Sequence, residues 1–206
     1  MDGSYFYEPA QGHGLSHDPF KAIVAPRPIG WISTVDAQGR ANLAPYSFFN
    51  AVADVPPIVM FSSAGWKDSI ANIEATREFV CNFACRPLAE AMNASSASVA
   101  HGIDEFALAG LAAAPSRLVA PPRVAESPAA LECRLIEIVR LKDLAGTELD
   151  RWMVLGQVIG VHIDRRFLTP EGLFDMAAAR PILRAGYLAD YVEAGPETTF
   201  TMRRPK

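Results

Sequence analysis

Apolar and polar positions along this chain follow the short period of strands through most of its length, and only a few stretches carry the longer period of a helix. IGWISTV (29–35) is β-branched and aromatic, DAQG (36–39) supplies turn chemistry, and RANLAPYSFFNAV (40–52) resumes the strand pattern. This predicts strand, tight turn, strand, with Gly39 suited to the positive φ of a hairpin loop. PPIVMFSS (56–63) is a third strand ending in small hydroxyl residues, and FVCNFA (79–84) a fourth. Between them, DSIANIEAT spaces Ile70 and Ile73 on one face behind a Lys or Asp start, which predicts a helix over 68–76. A second helix is expected over 86–97, with Pro87 tolerated in its first turn. Residues 102–128 are irregular apart from a short helical DEFALAGL. The segments 131–142 and 152–163 are the longest strand candidates, joined by the polar KDLAGTELD loop into a long hairpin. Six or so strands with short helices between them predict a mainly β fold, a closed or nearly closed barrel with helical plugs, because closure removes exposed edges. Residues 1–20 read as a polar arm, and 21–206 as a single domain with a C-terminal extension.

Composition narrows the function classes. With 206 residues, 50% of them hydrophobic and 20% charged, the chain suits one packed core and is no disordered tail. A net charge of −4 lacks the electrostatic footprint of a nucleic-acid binder. No apolar run approaches the roughly 18 residues of a membrane span, so no membrane role is expected. The three cysteines, Cys81, Cys85 and Cys133, offer neither a disulfide framework nor a CxxC pair and read as small core residues. With no secretory pattern at the start, a cytoplasmic setting is expected. No metal site is expected: His13 and His17 lie four apart, but Gly12 and Gly14 disfavour the helix that would bring them together.

The sequence lacks GxGxxG after a strand, GxxxxGK[ST], GxSxG and HExxH, and no spacing suggests a catalytic triad. Chemistry would then belong to a bound cofactor. Ser62, Ser63, Lys67, Asp68 and Ser69 run from a strand end into a helix start. They gather hydroxyl donors, one ammonium and free backbone N–H groups, a set that suits a phosphate, although a plain strand-to-helix loop has the same spacing. Asp68 fits that site poorly by charge and reads as a cap or an orienting partner of Lys67. Asn42, Ala44, Pro45, Tyr46 and Ser47 combine small residues, an interrupted ladder and aromatics. That mixture suits the face and edge of a flat heteroaromatic ring, or simple edge packing. His162 either faces this site or is a satisfied sheet histidine. Asp104 and Glu105 read as helix caps, and Glu126 as structural.

Taken together, APRPIGWISTVDAQGRANLAPYSFFN, KDSIANI, FVCN, HGIDEFALAGL, PPRVAESPAALEC and LGQVIGVHID resemble the flavin reductase-like family of FMN-binding split-barrel proteins. That family includes flavoredoxins and the reductase component B of nitrilotriacetate monooxygenase. The resemblance implies a six-stranded Greek-key split barrel with helical insertions, homodimeric, with FMN near the subunit interface and NAD(P)H as electron donor. It places Asn42, Ala44, Pro45, Tyr46 and Ser47 along the isoalloxazine and ribityl chain, and Ser62, Ser63, Lys67, Asp68 and Ser69 at the phosphate. Trp31, Ile32, Ser33 and Thr34 would lie beside the flavin, Arg27 would reach toward it, and Arg184 and Tyr187 would approach it from the C-terminal segment. The function implied is a flavin reductase without a catalytic side chain of its own, serving alone or as the reductase half of a two-component monooxygenase with an oxygenase partner. A non-catalytic FMN electron carrier, a split-barrel oxidase of the pyridoxamine phosphate oxidase kind and a flavin or haem sensor remain alternatives.

Overall fold

The computed structural model describes residues 3–205. In chain order it contains a short helix α1 (Phe20–Ile23) and strands β1 (Arg27–Pro28), β2 (Gly30–Val35), β3 (Ala41–Tyr46), β4 (Phe49–Asp54) and β5 (Pro57–Ala64). Helix α2 (Asp68–Thr76), strand β6 (Glu78–Phe83) and helices α3 (Ala89–Ala94) and α4 (Glu105–Leu108) come next. They are followed by β7 (Ala113–Ala114), β8 (Arg123–Val124), the long β9 (Ala129–Lys142) and β10 (Glu148–Ile163), α5 (Met176–Ala179), β11 (Ile182–Arg184) and β12 (Tyr191–Glu193). No helix among the described residues is long and apolar enough to cross a membrane.

The main sheet runs β3-β2-β6-β9-β10-β5-β4, antiparallel throughout. Its two edge strands, β3 and β4, are consecutive in the chain and separated only by Ser47 and Phe48. One bent segment therefore forms both edges of this seven-stranded sheet and closes it into a split barrel, six-stranded when β3 and β4 are counted as one. The single strand expected over 40–52 is thus two. Pro45 has no N–H to donate, and the chain turns at Ser47 and Phe48, where the Phe48 carbonyl accepts from the Ser62 N–H at 2.8 Å. The helix expected over 86–97 is a 3-10 turn, Arg86–Leu88, followed by the shorter α3. The long hairpin reaches further than its apolar pattern, with β9 starting at Ala129 and β10 at Glu148, because the Asp143 side chain turns the polar loop by accepting from the Ala145 and Thr147 N–H groups.

β2 is buried at all six positions, so its two faces serve two cores. Ile32 faces the barrel interior with Tyr46, Phe61, Phe79 and Val154, and Ile70 and Ile73 of α2 plug that interior. Trp31 faces outward into a second core with Leu43, Met92, Phe106 and Ile182, roofed by α3 and α4. A separate three-stranded sheet, β1-β11-β12, ties the C-terminal segment to the barrel. Arg27 anchors it, donating to the carbonyls of Lys21, Val24 and Ala185 at 2.5, 2.6 and 3.2 Å. Both terminal nitrogens of Arg27 are thus bonded to the chain itself, while its buried Nε has no hydrogen-bond partner among the described residues.

Candidate functional site

The outer edge of β3 and the start of α2 face each other across a cavity of about 330 Å3, within the size range of small-molecule sites. Asn42, Ala44, Pro45 and Tyr46 line one wall, Lys67, Asp68 and Ser69 the other. The two stretches singled out in the sequence are therefore brought to one site. A third wall was not foreseen: Ser95, Ser96, Ala97, Ser98, Val99 and His101, with Glu105 behind them.

Hydrogen bonds fix this frame. The Asn42 amide donates to Ser69 Oγ at 3.0 Å and to Thr34 Oγ1 at 3.3 Å, and the Asn72 amide reaches the same Thr34 oxygen at 3.0 Å. Strand β3 is thus tied to the first turn of α2. Trp31 Nε1 donates to Ser95 Oγ at 2.9 Å, so the indole holds the serine-rich wall from behind. Trp31, Ser33 and Thr34, expected beside the ligand, lie instead one layer back. Ser33 is buried and donates to the Pro122 carbonyl. Ser62 and Ser63 do not line the cavity either. Ser63 is turned to the Gly65 carbonyl at 2.9 Å, and Ser62 sits in the ladder opposite Met153. Ser47 and Arg184 occupy a smaller adjoining cleft of about 130 Å3 that shares Pro45 and Ser96 with the main cavity. Arg184 is bound to Tyr191 Oη at 3.0 Å and to the carbonyls of Tyr187, at 3.4 Å, and Leu188.

Three charged features distinguish the cavity. The Lys67 ammonium lines it and forms no ion pair or hydrogen bond among the described residues. Asp68 Oδ1 lies 3.0 Å from His101 Nδ1 and forms no ion pair with Lys67. Glu105, only 7% exposed, accepts from the Leu43 N–H at 3.1 Å. Burial, above all, lifts its carboxyl above the ordinary range, and the nearby Asp68 and Asp104 charges add to that against the Leu43 bond. Asp104 is the cap of α4, accepting from the Phe106 and Ala107 N–H groups, while Glu105 points to the cavity instead. A sequence cannot separate these adjacent acids, because both satisfy the same capping pattern.

Tyr46 also contributes to this wall, but its hydroxyl is buried out of solvent, where it meets no hydrogen-bond partner of good geometry among the described residues. Burial, above all, pushes its phenol above the usual value, and the neighbouring Ser69 and Ser63 hydroxyls oppose that. An orphaned buried hydroxyl calls for a partner that the protein does not supply. An amphipathic ligand with an anionic end fits: polar atoms for Tyr46 and Asn42, a charge for Lys67, and the free N–H groups at the start of the nine-residue α2. His162 lies elsewhere, bound to Glu132, which is fully buried and also accepts from the Arg117 and Leu118 N–H groups at 2.7 and 2.6 Å. It is a satisfied sheet histidine. Glu126 accepts from the Ala112 N–H at 3.3 Å and steadies a loop.

The sequence over residues 24–179 matches the flavin reductase like domain. An uncharacterized protein of Deinococcus radiodurans is 39% identical over 187 residues, 84% of this chain and 82% of that one. The structure resembles nitrilotriacetate monooxygenase component B from Bacillus cereus with a TM-score of 0.85 and 26% identity, covering 98% of this chain and 100% of the other. It also resembles the 2-nitrobenzoate 2-nitroreductase NbaA of Pseudomonas fluorescens, with a TM-score of 0.76 and 27% identity over 90% and 87% of the two chains.

Proposed function

This chain belongs to the flavin reductase like domain family, and we propose that it is an FMN-binding oxidoreductase whose electron donor is a reduced nicotinamide nucleotide. The observation that carries the reading is the meeting, in one cavity, of a Lys67 ammonium unpaired among the described residues and the start of helix α2 with the Asn42, Ala44 and Tyr46 wall of β3. Lys67, the Ser69 hydroxyl and the first N–H groups of α2 would hold the phosphate, the ammonium as a point charge. Asn42, Ala44 and Tyr46 would line the ring system and its side chain, with Pro45 keeping that edge of β3 free of a neighbouring strand.

FMN, when bound, supplies the acceptor for a hydride from the nicotinamide. The protein's part is to hold, orient and exclude water. Tyr46 can donate to a ring heteroatom, and Ser95 is kept in the wall by Trp31. Glu105 accepts from the Leu43 N–H and so fixes the backbone of β3 beside the cavity. Arg184, across Pro45 and Ser96, borders the adjoining cleft and suits the second substrate. The Bacillus cereus neighbour's name as component B of a monooxygenase supports a reductase half with an oxygenase partner; a cytoplasmic homodimer is proposed only as what the family resemblance implies.

The test is a flavin spectrum of the protein after FMN loading and desalting, followed by anaerobic NADH and NADPH. A retained flavin band bleached rapidly by one of them is the expected result. Retention without bleaching by either would replace the reductase with an electron carrier, and failure of FMN to bind would remove the site.

A further inference from the structure

Asp68 is the anomaly of the cavity, since a carboxylate sits beside the group assigned to an anion. Its charge is not taken up by its neighbour Lys67. Instead Asp68 Oδ1 faces His101 Nδ1 at 3.0 Å, and the opposite ring nitrogen, Nε2, lies 3.3 Å from an Arg40 amino group. A guanidinium only donates, so Nε2 accepts and the Nδ1 proton is directed at Asp68. Arg40 is itself fixed, with Nε 2.6 Å from Asp36 Oδ2, and Asp36 also accepts from the Gln38 and Arg40 N–H groups in the β2–β3 turn. The chain Asp36, Arg40, His101, Asp68 thus spans from a hairpin turn to the start of α2. The remaining ionisable residues that line this cavity are Lys67, Glu105 and Tyr46.

We propose that His101 is a positioning residue for anion binding: by holding the Asp68 carboxylate, it keeps the adjacent Lys67 ammonium free for the phosphate of a bound flavin mononucleotide. This rests on the FMN reading above. Without the imidazole, the carboxylate is free to pair with the flexible Lys67 side chain or to stand against the phosphate, and both outcomes weaken the same contact. His101 is largely exposed and part of a loop, so its removal spares the two cores.

The experiment is a fluorescence titration of the full chain with FMN and with riboflavin, which lacks the phosphate. It compares wild type, His101→Ala, His101→Gln, Asp68→Asn and the His101→Ala/Asp68→Asn double variant. His101→Ala is expected to weaken FMN about tenfold while leaving riboflavin within about twofold. His101→Gln, whose amide can still donate to Asp68, is expected to fall between. Asp68→Asn in the His101→Ala background is expected to restore FMN affinity to near wild type. Equal losses for FMN and riboflavin without rescue by Asp68→Asn would show that His101 only packs the loop and would overturn the proposal. So would an unchanged FMN affinity in His101→Ala. Wild type that binds neither flavin would overturn the site itself, whereas equal affinity for FMN and riboflavin would overturn only its phosphate end.

Discussion

Two glutamates show opposite consequences of burial. Glu132 is fully buried; burial alone would raise its carboxyl, yet the bonds from Arg117, His162 and Leu118 together hold it below the ordinary range. Its contribution to stability is present above the ordinary glutamate range and lost as pH falls through the lowered folded value. We expect Glu132→Gln to cost about 3 kcal/mol in urea unfolding at pH 7, because one backbone N–H loses its acceptor and His162 its partner. The gap to wild type should close in acid, where the native side chain is itself protonated. Glu105 has the reverse sign. Its raised carboxyl favours the folded state at low pH, and that advantage is lost as pH rises from the ordinary glutamate range through the folded value. Glu105→Gln should keep the Leu43 bond, flatten that loss and tighten FMN roughly threefold by removing a negative charge from the cavity, as read by titration at pH 8. At this scale the sequence revealed Asn42, Tyr46, Lys67 and Ser69, because a strand end and a helix start are local patterns. It did not separate Ser33 from them. On a strand buried on both faces, alternation no longer tells which way a hydroxyl turns, and Ser33 turns to Pro122. The segment 95–101 was missed because a run of Ser and Ala carries no period, and what places it, Trp31 and Asp68, lies far off in sequence.

Among elements, the long hairpin β9–β10 and helix α2 were readable from period alone, while the division of the 40–52 stretch was not, since its hydrophobic pattern runs through the corner at Ser47 and Phe48. Tight contacts within the barrel were also invisible. Gly156 of β10 lies over Phe79, and a Cβ built there would come 2.2 Å from the ring's Cζ. Gly156→Ala should therefore destabilise by about 2 kcal/mol in thermal or urea unfolding, as an overpacked core does. Phe79→Leu in the same chain should recover part of the loss, which would attribute the cost to that contact. Helix α2 ends on Arg77 in the left-handed region, φ 66°. Glycine accepts that conformation without a Cβ penalty, so Arg77→Gly should gain roughly 0.5 kcal/mol in urea unfolding, its contacts to the Leu135 and Ile136 carbonyls being long at 3.4 Å.

For the whole molecule, ligand binding and stability are coupled, since two of the three cavity walls belong to the barrel and its plug. FMN at a hundred times its dissociation constant should add about 2.7 kcal/mol, raising the melting temperature by roughly 5–10 °C. Riboflavin at the same concentration should do less, because it leaves Lys67 unused. Added salt should weaken FMN more than riboflavin, as screening acts on the exposed ammonium. The closure of the barrel has a mechanical corollary. Because one segment supplies both edges, its corner works like the clasp of a bracelet, and the face of β3 just before it is a wall of the cavity. Cleavage between Ser47 and Phe48 would leave two fragments able to reassemble only by zipping strands, with no covalent link across the seam. A ligand gripping β3 and α2 at once would then act as the missing clasp, so reassembly of the cut protein would depend on FMN where folding of the intact chain does not.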